Sequence, residues 1–167
     1  MPRRKKSSFH QQKILVITVM AVILLDKLTK ILVKSTFQLG ESRRVLGNFF
    51  KLTYIENQGI AFGLFADWNH PLKAVLLLVL SLVALVFIIH IYLKSRKTPL
   101  LQMSFGLILG GAFGNVYDRI IYKRVVDFLN FGIAHYRWPF FNIADSSITI
   151  GVIILMIVTL FYEEKLQ

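Results

Sequence analysis

Four long apolar stretches dominate the chain, and shorter segments rich in charged and polar residues separate them. A helix crosses a bilayer core of about 30 Å with roughly 20 apolar residues. Stretches of about that length occupy residues 14–33, 74–93, 100–117 and 144–162. The pattern predicts an all-α polytopic membrane protein with four transmembrane helices.

Two of the connecting segments are long, at residues 35–72 and 119–142. In the first, residues 48–55 (NFFKLTYI) are rich in aromatic and β-branched side chains and have glycines nearby, which predicts short strands. We expect a small extracytoplasmic β-structured loop, a β-cradle on the membrane face. The second mixes apolar and charged residues, as an interfacial outer loop does. Residues 1–167 are expected to form one membrane-embedded domain.

Composition excludes several kinds of chemistry. The chain is 55% hydrophobic and contains no cysteine, so disulfides, thiolate zinc sites and a cysteine nucleophile are ruled out. Its net charge of +11 comes from cations concentrated at the chain ends and between the apolar stretches. That placement favours contact with lipid headgroups over nucleic acid.

The densest cationic segments predict the orientation. Residues 2–6 (PRRKK) and 94–97 (KSRK) are short and crowded with lysine and arginine, which is typical of the cytoplasmic side. Four spans return the chain to the side on which it starts. Both termini are therefore expected in the cytoplasm and both long loops outside.

Ionisable side chains at membrane depth are costly and call for a reason. Asp26 precedes Lys30 by four residues, so both lie on one helix face and can form a buried ion pair that braces the helices. Asp118 ends the third apolar stretch beside Arg119, one turn after Asn115. A structural or substrate-positioning role is favoured for Asp118.

Two other aspartates are candidates for chemistry. Asp127 has apolar neighbours on both sides, so desolvation should raise its pKa. Asp145 stands where the fourth helix should begin, where it can serve as the N-cap and the helix dipole should stabilise its charged form. Carboxylates in two such environments suit an aspartic dyad, in which one takes a proton from water and the other polarises a carbonyl. Both would meet at the outer membrane face.

Other functional patterns are missing or structural. The four histidines have no metal-ligand spacing, so no metal and no cofactor are predicted, and no Gly-x-Ser-x-Gly elbow occurs. Gly106, Gly110 and Gly114 recur every four residues in the third stretch. This spacing lets helix backbones approach closely, so the third helix should be central to the bundle.

Five motifs together resemble those of the lipoprotein signal peptidase family, also called signal peptidase II. They lie in the order typical of that family and cover nearly the whole chain: residues 26–30 (DKLTK), 56–63 (ENQGIAFG), 110–119 (GGAFGNVYDR), 125–128 (VVDF) and 141–146 (FNIADS). The resemblance implies an intramembrane aspartic endopeptidase of the bacterial cytoplasmic membrane. Such an enzyme cleaves diacylglyceryl-modified prolipoproteins on the N-terminal side of the lipidated cysteine, near the outer face.

The resemblance also implies roles for individual residues. The family's catalytic aspartates fall on Asp127 and Asp145. Its substrate-binding positions fall on Asn57, Gly59, Asn115, Arg119 and Asn142. Its supporting polar residues fall on Asp26, Lys30 and Asp118. Implied partners are prolipoprotein substrates, membrane lipids and inhibitors of the globomycin type.

Two alternatives come from other functional classes. A small proton-coupled transporter or channel subunit would use intramembrane carboxylates as a relay. A non-catalytic membrane scaffold would account for the glycine face, although not for two aspartates with neighbouring asparagines.

Overall fold

A computed structural model describes the backbone of residues 3–59, 72–133 and 135–162, and the side chains of residues 12–59, 72–133 and 135–161. Its four helices are α1 (Arg3–Thr36), α2 (Lys73–Lys94), α3 (Pro99–Tyr122) and α4 (Ile143–Tyr162). Its four strands are β1 (Ser42–Leu46), β2 (Phe50–Asn57), β3 (Val125–Ile133) and β4 (Tyr136–Arg137). Residues 60–71 of the predicted first outer loop lie outside the described residues.

The helices have the polarity expected in lipid. In the described part of the chain, Lys73–Lys94, Pro99–Tyr122 and Ile143–Phe161 are long and apolar enough to cross a membrane. Large apolar side chains cover the outside of the helices, while charged and amide side chains are buried between them. The predicted first span lies in α1, whose apolar run carries Asp26, Lys27 and Lys30. The structure thus contains four helices, and the count of four spans stays a prediction.

The third helix is central, as its glycine pattern predicts. α3 packs against α1, α2 and α4. A methyl group added at Gly110 would lie 2.8 Å from Cβ of Val22 on α1, and one at Gly111 would collide with the backbone oxygen of Ala144 on α4. Only residues without a side chain permit this closeness. α3 continues to Tyr122, beyond the predicted end at residue 117, so Asp118 and Arg119 lie inside the helix.

Both long connections contribute to one antiparallel sheet, in the order β1-β2-β3-β4. The strand structure predicted for residues 48–55 is present as β2, and its partner β1 lies before the predicted stretch. The second loop was expected only as an interfacial segment, yet it forms β3 and β4, because the run from Val125 to Phe128 suits a strand with a partner. The sheet rests on the end of α1 through an apolar cluster of Val33, Tyr54, Val126 and Phe128.

Candidate active site

Asp127 lies on β3 opposite Ile55 of β2, and its side chain is only 2% exposed. Each carboxylate oxygen accepts one amide hydrogen bond of 2.7 Å, Oδ2 from Asn57 Nδ2 and Oδ1 from Asn142 Nδ2. Burial, reinforced by the nearby charge of Asp145, raises the pKa of Asp127 to about 7. This carboxyl group therefore titrates near neutral pH, and the raised pKa is the one that its apolar neighbours in the sequence predict.

Asp145 lies in the first turn of α4, where it forms a reciprocal cap with Asn142. Asn142 Oδ1 accepts the backbone N–H of Asp145 at 2.9 Å, and the backbone N–H of Asn142 donates to Asp145 Oδ2 at 3.2 Å. These are the two bonds of a capping box. The interpretation of Asp145 as the N-cap is therefore wrong by three residues, because Asn142 is the cap. Asn115 Nδ2 donates to the other oxygen of Asp145 at 2.8 Å.

Asn142 joins the two aspartates. Its side chain is fully buried, and its amide group bonds Asp127 while also capping the helix that carries Asp145. Asn142 Nδ2 also lies 3.3 Å from the backbone oxygen of Val126, beside Asp127 on β3. One side chain thus fixes the start of α4 against β3.

A buried ionic layer is connected to this pair through Asn115. Lys30 Nζ lies 2.7 Å from both Asp26 Oδ2 and Asp118 Oδ2, and it donates to Asn115 Oδ1 at 3.2 Å. The predicted pair of Asp26 and Lys30 is confirmed. The side-chain partner of Asp118, however, is Lys30 rather than the adjacent Arg119. Asp26 Oδ1 accepts the backbone N–H of Ala144 at 3.0 Å, which ties α1 to the start of α4.

Arg119 contacts the backbone just beyond the end of β2. Its Nη1 donates to the backbone oxygen of Gly59 at 3.2 Å, while its buried Nε has no hydrogen-bond partner among the described residues. The backbone N–H of Gly59 in turn donates to Asn57 Oδ1 at 2.7 Å. A buried donor without a partner is costly, so the Nε of Arg119 is suited to a bound carbonyl group.

The two aspartates face neighbouring cavities. Asp127 and Asn57 line one of about 870 Å³, and Asp145 lines another of about 540 Å³. Residues 138–140 (WPF) line both. Sequence reasoning did not single out this segment, although a proline between two aromatic residues predicts a rigid apolar wall.

The structure brings every predicted site residue into one connected cluster. Asn57, Asn115 and Asn142 each donate to a carboxylate of the pair, and their role in substrate binding stays a prediction. No three histidine, aspartate or glutamate side chains group to hold a metal ion within the described ranges. Chemically, the cluster joins two buried carboxyl groups through one asparagine side chain.

Comparisons with known proteins identify the family of the chain. A family model described as signal peptidase (SPase) II matches residues 18–161. The lipoprotein signal peptidase of Halothermothrix orenii is 42% identical over 89% of this chain and 96% of that protein. That of Francisella tularensis subsp. novicida is 40% identical over 86% and 89%. A solved bacterial membrane enzyme is 31% identical and superposes with a TM-score of 0.77 over 89% of this chain and 93% of that one. The chain belongs to the signal peptidase II family, a family of proteases.

Proposed function

We propose that this protein is an aspartic endopeptidase in which Asp127 and Asp145 form the catalytic dyad. The observation that carries the proposal is the bridge through Asn142, which bonds Asp127 and caps the helix of Asp145. A pKa of about 7 for Asp127 gives the pair a proton to exchange under physiological conditions. Family membership favours proteolysis over the transporter alternative.

The substrate follows from the relatives, which are lipoprotein signal peptidases. The protein removes signal peptides from diacylglyceryl-modified bacterial prolipoproteins and cleaves on the N-terminal side of the lipidated cysteine. Membrane lipids retain the diacylglyceryl chains, which restricts the scissile bond to one depth and raises its effective concentration. Inhibitors of the globomycin type compete for the same site.

Hydrolysis proceeds through one water held between the carboxyl groups. The ionised carboxylate takes a proton from water, whose oxygen attacks the scissile carbonyl carbon, and the protonated carboxyl group donates to the carbonyl oxygen. The tetrahedral intermediate then collapses and the C–N bond breaks. The carboxyl group that took the proton from water gives it to the leaving nitrogen, and the other carboxylate takes back a hydroxyl proton from the intermediate as the carbonyl re-forms. The amides of Asn57 and Asn142 hold one lone pair on each oxygen of Asp127 and so fix its orientation.

Arg119 and Gly59 bind the substrate backbone beside the dyad. A signal peptide must unwind to present its scissile bond, which leaves carbonyl groups without partners in a low-dielectric setting. Nε of Arg119 is a buried donor that can donate to the oxygen of one of them. This pairing satisfies both groups only when substrate is bound.

The protein crosses the bacterial cytoplasmic membrane four times, with α1 as the first span. The ionisable residues of α1 are tolerated at that depth because Asp26 and Lys30 neutralise each other inside the bundle. Both termini lie in the cytoplasm. The sheet and the dyad lie near the outer face, where prolipoproteins arrive.

A reconstituted cleavage assay tests the dyad. We expect Asp127→Asn and Asp145→Asn each to fold, insert in membranes and lose cleavage of a diacylglyceryl-modified peptide by at least about 1,000-fold. Glu41→Gln removes a carboxylate that is bonded to Arg43 outside the site, so it should keep wild-type activity and globomycin sensitivity. Normal turnover by either aspartate variant would refute the dyad. Because the assay has no ion gradient, activity in it also argues against a transporter.

A further inference from the structure

The cavity of about 870 Å³ beside Asp127 is electrically polarised along its length. Asp127, Asn57 and Glu56 line one end, whereas Lys51, Asn130 and Arg137 line the other. The separation follows from the strand register, because Asp127 pairs with Ile55 and Asn130 pairs with Lys51. Four residues along β2, or three along β3, separate the two ends, a distance of about 10–13 Å.

The cations at the far end have no carboxylate partner. Neither Lys51 nor Arg137 takes part in an ion pair among the described residues, and Arg137 donates instead to Asn130 Oδ1 at 2.9 Å and to the backbone oxygen of Asn48 at 2.7 Å. These neutral acceptors hold the guanidinium group in place without neutralising it.

The acid at the catalytic end is already paired. Glu56 accepts from Arg124 Nη1 at 2.5 Å and from the hydroxyl group of Tyr54 at 2.9 Å.

Lys51 has cationic neighbours in Arg137 and Arg44, and burial together with their charge lowers the pKa of its ammonium group. Two like charges that line a cavity without a counter-ion form a site for an anion.

We infer that this cavity receives the part of the substrate that follows the lipidated cysteine, and that Lys51 and Arg137 favour an acidic side chain there. The inference rests on the proposed function, which sets the scissile bond beside Asp127. The signal peptide lies in the membrane, so the chain beyond the cysteine must leave over the sheet. An extended peptide covers about 13 Å in four residues, so the preferred acid lies three to five residues beyond the cysteine.

The test compares diacylglyceryl-modified peptides that are identical except for Glu, Gln or Lys at the fourth residue beyond the cysteine. For the wild-type enzyme we expect kcat/KM to fall from Glu to Gln to Lys, by about two- to fivefold at each step. Because Arg137 keeps its charge, Lys51→Met should weaken this preference, and Lys51→Glu, which sets an acid beside Arg137, should flatten it. Lys123→Glu, a matched charge reversal outside the cavity, should keep the wild-type order.

Further measurements separate this inference from its alternatives. Raising the salt concentration should weaken the preference, and moving the Glu through positions two to six should locate its maximum between three and five. Equal ranking in wild type and Lys51→Glu would overturn the inference while leaving the peptidase function intact. The inference would also be overturned if the change in kcat/KM caused by Lys51→Glu depended on the fraction of phosphatidylglycerol in the assay micelles and not on the charge of the peptide. If the wild type cleaved none of the peptides, the proposed function itself would fall.

Discussion

At the scale of single residues, Asn142 connects the two aspartates of the site. It supplies one of the two bonds to Asp127 and the side-chain cap of α4. We predict that Asn142→Ala lowers the free energy of unfolding by about 1–2 kcal/mol through the lost cap. It should lower kcat/KM by at least about 100-fold, because the carboxylate of Asp127 loses a side-chain donor and the backbone N–H of Asp145 loses its acceptor.

A matched substitution separates these two effects. Ser104 is also fully buried, and its hydroxyl group donates to the backbone oxygen of Gly151 at 2.9 Å, away from the aspartates. Ser104→Ala should cost about 1 kcal/mol and leave kcat/KM unchanged. Thermal unfolding in detergent and cleavage of a lipidated peptide measure both quantities. Wild-type activity in Asn142→Ala would contradict the bridging role.

The carboxyl group of Asp127 predicts a pH dependence of stability with a definite sign. Its pKa is about 7 in the folded protein and 3.8 ordinarily, so folding favours the protonated form. This contribution is fully present below about pH 4 and is lost as the pH rises through 7, with an upper limit of about 4 kcal/mol. The side chain of Asn in Asp127→Asn does not titrate. The Tm of this variant minus that of the wild type should therefore increase between pH 4.5 and pH 8. Ser104→Ala should run parallel to the wild type, and a constant difference for Asp127→Asn would refute the raised pKa.

At the scale of secondary-structure elements, the close packing of α3 on α4 sets the position of Asp145. A methyl group at Gly111 would meet the backbone of Ala144, one residue before Asp145. We predict that Gly111→Ala destabilises the protein by about 1–3 kcal/mol and also reduces activity per folded molecule, because backbone must move.

Gly106 offers a control on the same helix. A methyl group there would lie 2.7 Å from Cβ of Thr18, in the interface between α3 and α1. Gly106→Ala should therefore cost comparable stability and keep its activity per folded molecule. Equal activity losses in both variants would show that packing in general, and not the position of Asp145, limits the reaction.

The elements also show what the sequence could predict and why. Local spacing sufficed for the pair of Asp26 and Lys30, because it joins consecutive turns of one helix. It could not reveal the contact of Lys30 with Asp118, 88 residues away, since the packing of α1 on α3 brings them together. Strand β3 was missed for a similar reason, because its partner β2 is remote in sequence. The asparagines of the site were identified, but their bonds to the carboxylates depend on the whole fold.

At the scale of the whole molecule, the distribution of polarity is reversed relative to a water-soluble protein. Charged and amide side chains are buried, including Asp26, Lys30 and Asn142, and large apolar side chains face outward. In lipid this arrangement costs little, because the apolar surface needs no burial and interior polar groups such as Asp26, Lys30 and Asn142 have polar partners. A cluster of polar side chains can therefore exist at the end of a helical bundle in lipid.

The proposed orientation gives a prediction that the absence of cysteine makes clean to test. Arg44 on β1 and Arg96 between α2 and α3 are both exposed, and the topology assigns them to opposite sides of the membrane. In intact cells, a membrane-impermeant maleimide should label Arg44→Cys and leave Arg96→Cys unmodified. After permeabilisation both variants should react, and the wild type, which contains no thiol, should never react. Labelling of Arg96→Cys alone in intact cells would contradict the proposed orientation, because it would place the proposed dyad on the cytoplasmic side of the membrane.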